Sequence, residues 1–167
     1  MNKSSDKFLL IIVIGILLLV GVTFAAVLLV PQPDYRAEDA PESVLYNYLL
    51  AFEREDYERA YGYLSPKLKN YPADLEEFLK DIHSYKWAFD INAERPSSFR
   101  IVSSKTTGNI AFVEVEFSQY RGDGLFESRT DITTGNFRLA RAEGVWKVTR
   151  GEYLFWYECW NDKYYCR

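Results

Sequence analysis

Phe8 to Val30 is an unbroken run of 23 uncharged, mostly aliphatic residues in a chain of 167. As a helix rising 1.5 Å per residue it spans roughly 34 Å, enough to cross a hydrocarbon layer of ~30 Å with modest tilt. A cleaved secretory signal is the competing reading, for which Thr23-Phe24-Ala25 offers a small-x-small site. Signal cores are shorter, about 7–15 residues, and Val27-Leu28-Leu29-Val30 carries the apolar run past that site. The segment therefore reads as an uncleaved transmembrane helix over 8–30, with bilayer lipid as its partner. No cysteine lies near it, which excludes lipid attachment through an N-terminal Cys. Lys3, Lys7 and the α-amino group precede the run, whereas Asp34, Glu38, Asp39 and Glu42 follow it with only Arg36. The bias of Lys and Arg toward the cytoplasm places residues 1–7 inside the cell membrane and the rest of the chain outside, a single-pass arrangement. Gly21 and Ala25 make one small-xxx-small step that would let two helices approach and leaves a homodimer open, although an ordinary lipid-facing helix accounts for them as well.

Beyond residue 30 the chain has 137 residues, with 18 Lys+Arg against 23 Asp+Glu, a net charge of −5. That is the size of one domain with its own core. Large multidomain layouts, repeat solenoids and disulfide mini-proteins are excluded by length and by a total of two cysteines. The acidic balance repels nucleic acid. Cys159 and Cys166 enclose six residues at the C-terminal end, which outside the membrane reads as a small structural disulfide loop. Closing it would stabilise the fold by roughly 2–2.5 kcal/mol in the chain-entropy picture. The spacing is not CxxC, so redox catalysis has little support.

Pro31-Gln32-Pro33 ends the membrane helix and opens a stiff, polar stalk over 31–40, after which residues 41–167 form the external domain. Asp39 with Glu42 has the spacing of a capping box, with Pro41 tolerated in the first turn. Val44, Leu45, Tyr48, Leu49 and Phe52 then fall on one helical face. Asp56 is placed to cap a second helix that buries Tyr57, Ala60, Tyr61 and Leu64 until Ser65-Pro66 stops it. A third helix begins near Ala73 or Asp74 and buries Leu75, Phe78, Leu79 and Ile82.

After residue 98 the period falls to two. Ala111, Val113, Val115 and Phe117 share one strand face, with Glu114, Glu116 and Ser118 on the other. Thr107-Gly108-Asn109, Gly122-Asp123-Gly124 and Glu143-Gly144 read as hairpin turns. Between the last two, Phe126, Ser128, Thr130 and Ile132 have one parity and Phe137 and Leu139 the other. Gly135-Asn136 sits at the switch and predicts a bulge that bends a long strand. Val145 to about Tyr157 makes the last strand, and Trp87 to Ile91 a short extra strand or an extended lead-in. The fold class is α+β: an N-terminal transmembrane helix, then three helices packed on a curved antiparallel sheet of about four long strands.

Tyr46-x-Tyr48-Leu49-x-Ala51-Phe52, followed by Asp56-Tyr57-Glu58-Arg59-Ala60-Tyr61-x-x-Leu64-Ser65, resembles the opening helices of the nuclear transport factor 2-like (cystatin-like, cone-shaped α+β) superfamily. Phe137-Arg138-Leu139-x-Arg141-x-Glu143-Gly144-Val145-Trp146-Lys147-Val148 resembles its closing hairpin. The resemblance covers roughly 42–157 and points to a membrane-anchored branch. It implies a cone enclosing an apolar cavity, in which enzymatic members use Asp, His or Tyr, the cavity shifting a carboxyl pKa and strengthening hydrogen bonds to a developing oxyanion.

This sequence matches that chemistry poorly. His83, beside Asp81 near the end of the third helix, is of the residue type that serves as a catalytic base but reads better as an exposed residue at a helix terminus. Asp90 and Asp131 lie among apolar residues without a partner motif. One histidine and a distant cysteine pair do not make a zinc site, and Gly122-x-Gly124 is a turn rather than a dinucleotide loop. Neither a catalytic residue, a metal nor a cofactor is expected. Aromatic residues are 17% of the chain, and Tyr153, Phe155, Trp156, Tyr157, Trp160, Tyr164 and Tyr165 crowd its last fifteen positions. Strand alternation buries Tyr153, Phe155 and Tyr157 together, which leaves Trp160, Tyr164 and Tyr165 as the candidate contact surface for an envelope protein or a glycan. The sequence thus points to a non-catalytic binding or assembly module, with a cone-pocket enzyme or carrier of a small apolar ligand as the alternative.

Overall fold

The computed structural model describes residues 3–29, 33–68, 71–84, 97–122 and 128–152. The chain divides into two units, Met1–Asp34 and Tyr35–Arg167. The first contains α1 (Lys3–Leu28), which begins five residues before the apolar run. At 1.5 Å per residue its 26 residues extend about 39 Å. The stretch Phe8–Ala25 is long and apolar enough to cross a membrane, and none of it is buried. Thr23, a polar residue in that stretch, donates its hydroxyl to the Leu19 carbonyl one turn back, so the hydroxyl is satisfied within the helix.

In the second unit α2 (Pro41–Glu53), α3 (Tyr57–Tyr63) and α4 (Leu75–Ser84) precede an antiparallel meander. Its strands are β1 (Ser97–Thr107), β2 (Ile110–Gly122), β3 (Ser128–Ala142) and β4 (Val145–Arg150), in the spatial order β1-β2-β3-β4. The architecture is α+β with an open sheet.

The expected capping box at Asp39 and Glu42 does not form. Pro41 takes the first helical position, so the cap falls on Ala40, whose carbonyl accepts from the amides of Ser43 and Val44 at 3.1 Å. Asp39 is then one residue too early to cap. Glu42 instead accepts a hydrogen bond from Ser104 Oγ on β1 at 2.9 Å, which ties the start of α2 to the sheet. At the other end of α2, Glu55 adopts a left-handed conformation (φ 55°). The Asp56 amide reaches the Ala51 carbonyl (2.8 Å) and the Glu55 amide the Phe52 carbonyl (3.1 Å), the paired bonds of a Schellman motif with Glu in the position glycine favours. Asp56 then caps α3 as expected, accepting from the Arg59 amide at 3.3 Å. Asp74 caps α4 through the Glu77 amide at 2.8 Å, while Glu77 reaches back to the Ala73 amide.

β2 and β3 pair without interruption from Ile110↔Ala140 to Gly122↔Ser128, so the bulge expected at Gly135-Asn136 is absent. Phe137 and Leu139 lie opposite Val113 and Ala111 on the buried face, and Ile132, of the other parity, points outward and is 62% exposed. What changes along β3 is not the register but the character of the inner face, which turns polar beyond Thr133 where Arg129 and Asp131 form an ion pair of 2.9 Å. The irregularities lie in the outer strands instead. One falls between Ile101 and Ser103 of β1, the other opposite Arg138 and Leu139, where β4 skips Thr149. Extra residues in the two outer strands, beside a regular central pair, bend the sheet around its inner face.

On that inner face α2 contributes Val44, Leu45, Tyr48, Leu49 and Phe52, α3 and α4 contribute Ala60, Tyr63, Phe78 and Ile82, and the sheet contributes Ala111, Val113, Val115, Phe117, Phe137, Leu139, Trp146 and Val148. Tyr57 and Tyr61, expected in this core, are only half-buried.

Candidate functional site

Trp160, Tyr164, Tyr165 and the pair Cys159 and Cys166 lie outside the described residues, as do Asp90 and Trp87 to Ile91. His83 sits exposed at the end of α4, with Nδ1 2.6 Å from the Leu79 carbonyl and its ring edge-on to Tyr57 at 6.4 Å. Asp81 lies two positions before it, and residues so spaced on a helix do not face each other. Burial, reinforced by the charge of Glu77 and opposed by Lys80, holds the Asp81 carboxyl above its usual range. Its Oδ2 is buried with no hydrogen-bond partner among the described residues. Asp131 forms the ion pair with Arg129. Among the described residues, no group of His, Cys, Asp and Glu is placed to hold a metal.

Two arrangements stand out. The first is an aromatic row along α3 and the segment that joins it to α4. Tyr57 meets Phe52 edge-on at 5.9 Å, Tyr61 leans on Phe78 at 5.5 Å and stacks on Tyr71 at 5.3 Å, and the Tyr61 hydroxyl donates to the Pro72 carbonyl at 3.2 Å. Burial, with the hydrogen-bonding neighbour Tyr61, pushes the Tyr71 phenol up. Tyr57, Tyr61 and Tyr71 each keep part of a ring in solvent while the rest is fixed against the core. Rigid, amphipathic rings of this kind lose little entropy on binding.

The second arrangement begins where the domain begins. Asn47 lies on the buried face of α2 with its side chain fully enclosed. Its Oδ1 accepts from the Arg36 amide at 2.7 Å and its Nδ2 donates to the Arg36 carbonyl at 2.8 Å, so one amide side chain grips one backbone unit as a neighbouring strand would. The Arg36 guanidinium lies over the Tyr46 ring at 3.6 Å. Tyr35 has Arg59 over its ring at 3.6 Å and Arg54 at 5.0 Å, and donates its hydroxyl to Asp56 Oδ2 at 3.1 Å. Burial, then that hydrogen bond, raises the Tyr35 phenol. The Tyr63 hydroxyl donates to Glu38 Oε1 at 2.7 Å and accepts from Arg59 Nε at 3.2 Å. Tyr35, Arg36 and Glu38, within the stretch expected as a stalk, are thereby held on α2 and α3.

The sequence reading did not single out Asn47, Tyr63, Tyr71 or Arg59 as making these contacts. The available signal was Asn47, an uncharged polar residue between Val44 and Tyr48 on the buried face of a helix, since such a group needs a partner.

No protein-family model matches this chain, and no curated protein matches it. Solved structures do resemble it. A SEC-C motif containing protein from Rhodopseudomonas palustris is 18% identical over 72% of this chain and 83% of its own, with a TM-score of 0.48. A protein described as a calcium/calmodulin-dependent protein kinase type II association domain from Thiobacillus denitrificans is 11% identical over 72% of this chain and 96% of its own, with a TM-score of 0.49. A protein described as a hydroxylase from Streptomyces galilaeus is 10% identical over 69% and 77%, with a TM-score of 0.42. Likeness at this level carries no chemistry from one chain to another.

Proposed function

We propose that this protein is a single-pass membrane protein of nuclear transport factor 2-like architecture whose domain, outside the cell membrane, binds or assembles with an envelope protein or glycan and performs no catalysis. The observation that carries the reading is Phe8–Ala25, an apolar helix none of which is buried by the protein. A helix of that length and composition is stable where lipid surrounds it. The fold order of three helices and a bent four-stranded meander, with Phe137 to Val148 as its last hairpin, supports the family reading. The half-exposed row of Tyr57, Tyr61 and Tyr71 supports binding, in addition to the contact surface proposed at Trp160, Tyr164 and Tyr165.

Copurification from native membranes tests the reading. Recovery of one stoichiometric envelope partner, lost on substitution of the tyrosine row or of Trp160, Tyr164 and Tyr165, is the expected result. A protein that stays in the soluble fraction after cell breakage refutes it. The outside location has its own check, because Cys159 and Cys166 should show the two-dalton mass deficit of a disulfide in protein isolated without reductant.

One observation favours the second reading, a pocket for a small apolar ligand. The Asp81 carboxyl is raised chiefly by burial and has a buried oxygen without a partner among the described residues, a state that functional carboxyls often share. A rise in melting temperature with an apolar ligand, abolished by Asp81→Asn, would decide for it.

A further inference from the structure

We infer that Tyr35–Glu38 is a releasable strap that sets the length of tether between membrane and domain. The inference rests on the membrane-anchored reading above. With the strap seated, residues 29–34 separate the end of α1 from the first held residue of the domain; with it free, residues 29–40 do. At a ceiling of 3.3–3.6 Å per residue the chain can reach at most about 20 Å in the first case and about 40 Å in the second.

Four kinds of contact seat the strap, and each has a separate origin in sequence. Asn47 holds the Arg36 backbone by two bonds of 2.7 and 2.8 Å, the Tyr46 ring carries the Arg36 guanidinium, the Arg59 guanidinium lies over Tyr35, and Tyr63 donates to Glu38. Together they fix Tyr35, Arg36 and Glu38 in a segment that has no regular secondary structure.

The same contacts make it openable. Arg36, Ala37 and Glu38 are exposed, and the Arg59–Glu38 pair is 3.8 Å apart with side chains 42% and 48% exposed, so salt and water weaken it. Tyr35 is the one strap residue that packs against the core, half-buried, and its neighbours Arg36, Ala37 and Glu38 are exposed, so opening uncovers a single ring of the strap and no aliphatic side chain. Segments with few apolar contacts are those that open locally, below the free energy of global unfolding. Opening also has a defined end. Pro41 and the bonds from Ser43 and Val44 to the Ala40 carbonyl keep α2 capped without the strap. The cost of opening falls on Asn47, whose buried amide gives up both partners at once, and this makes seated and free two distinct states rather than a continuum.

Tether reach sets the effective concentration of a domain for a partner at a fixed height above the bilayer. A seated strap favours partners close to the membrane, and a free one admits partners up to about 20 Å further away.

The test uses the full chain in liposomes with hydrogen exchange resolved at Arg36. The wild-type Arg36 amide should exchange at least about tenfold more slowly than an unprotected amide, as expected for a buried bond of this kind. Asn47→Ala should abolish that protection while the amides of β2 stay unchanged, and Tyr35→Ala, which removes a half-buried ring at the margin of the core, should reduce it in the same direction. Energy transfer from labelled lipid to a probe at Glu143 should fall in both variants. An unprotected wild-type Arg36 amide overturns the strap. So does an Asn47→Ala variant in which β2 exchanges faster to the same degree as Arg36, because Asn47 would then hold the core. Unchanged energy transfer with an open strap overturns the tether role. Protein that fails to float with liposomes removes the tether role together with the anchored reading, and the exchange data still decide whether the strap exists.

Discussion

α1 and α2 are both apolar helices, yet every residue of Phe8–Ala25 is exposed whereas Val44, Leu45, Tyr48, Leu49, Leu50, Ala51 and Phe52 are buried. The contrast follows from how each distributes its few polar groups. α2 opens with Glu42 and Ser43, sets Asn47 among its apolar positions and ends at Glu53, so it has polar groups for the sheet edge, the strap and solvent. α1 has no polar stripe between Phe8 and Ala25, and its one hydroxyl there is satisfied by its own backbone. A helix with a stripe finds its apolar surroundings inside the domain, and a helix without one needs them on every side. The lesson is that apolar content alone does not tell a core helix from one long and apolar enough to cross a membrane; the distribution of polar exceptions does.

The strongest way to break this contrast is to delete side chains on each helix. Tyr48→Ala should cost about 3–5 kcal/mol in urea unfolding of the domain, as removal of a fully buried aromatic does, whereas Leu17→Ala should leave that transition unchanged. Equal effects would mean that α1 packs like α2. Next in size, Leu18→Arg at the middle of the apolar run should cost roughly 2.5–3.5 kcal/mol of membrane insertion, read as a shift of the protein to the soluble fraction, again with the domain's unfolding unaltered. A smaller effect concerns where α2 stops. Glu55→Gly should stabilise the domain by about 1 kcal/mol, because glycine adopts the left-handed position without the Cβ clash; a loss of stability would show that the Glu55 side chain contributes more than its backbone strain costs.

The smallest effect concerns α4, where an apolar stripe runs beside a partly buried carboxyl. The folded-state pKa of Asp81 is raised, so its ionisation destabilises the fold: the penalty is absent below the unfolded pKa and sets in as pH rises through the folded one. Asp81→Asn should therefore gain some tenths of a kcal/mol near pH 7, allowing for solvent screening, and the gain should vanish toward pH 3. A difference between variant and wild type that grows on acidification would reverse the assignment.

Much of the frame was legible because it is periodic. The faces of α2 and of β2, the Asp56 cap and the hairpin at Glu143-Gly144, whose φ values of 53° and 83° suit a two-residue turn, all follow from local pattern. What escaped the pattern depended on competition or on distance. Pro41 outbids Asp39 for the start of α2, a contest the capping-box spacing does not encode. The parity change near Gly135 looks like a bulge, but β3 keeps its register and exchanges an apolar inner face for the Arg129–Asp131 pair. Glu55 is left-handed because the bonds around it demand a tight stop, not because its own preference predicts it. The strap was the least legible part. Residues 31–40 have the composition of a polar stalk, and what seats Arg36 is Asn47, on an element formed only later in the chain.

One further contact has a bearing on how the molecule coexists with its own copies. Among the described residues β4 is the last strand in the sheet, and the far side of Val148 is occupied by the chain itself: Leu64 bridges to it in parallel, the Ser65 amide donates to its carbonyl at 2.9 Å, and Lys147 reaches the Gly62 carbonyl. A bare strand margin is a template on which a second chain can add its own strand and begin a fibre. The residues that stop α3 fill that template at Val148, so the sheet cannot lengthen there. That short stop after α3 serves as a guard against polymerisation through β4.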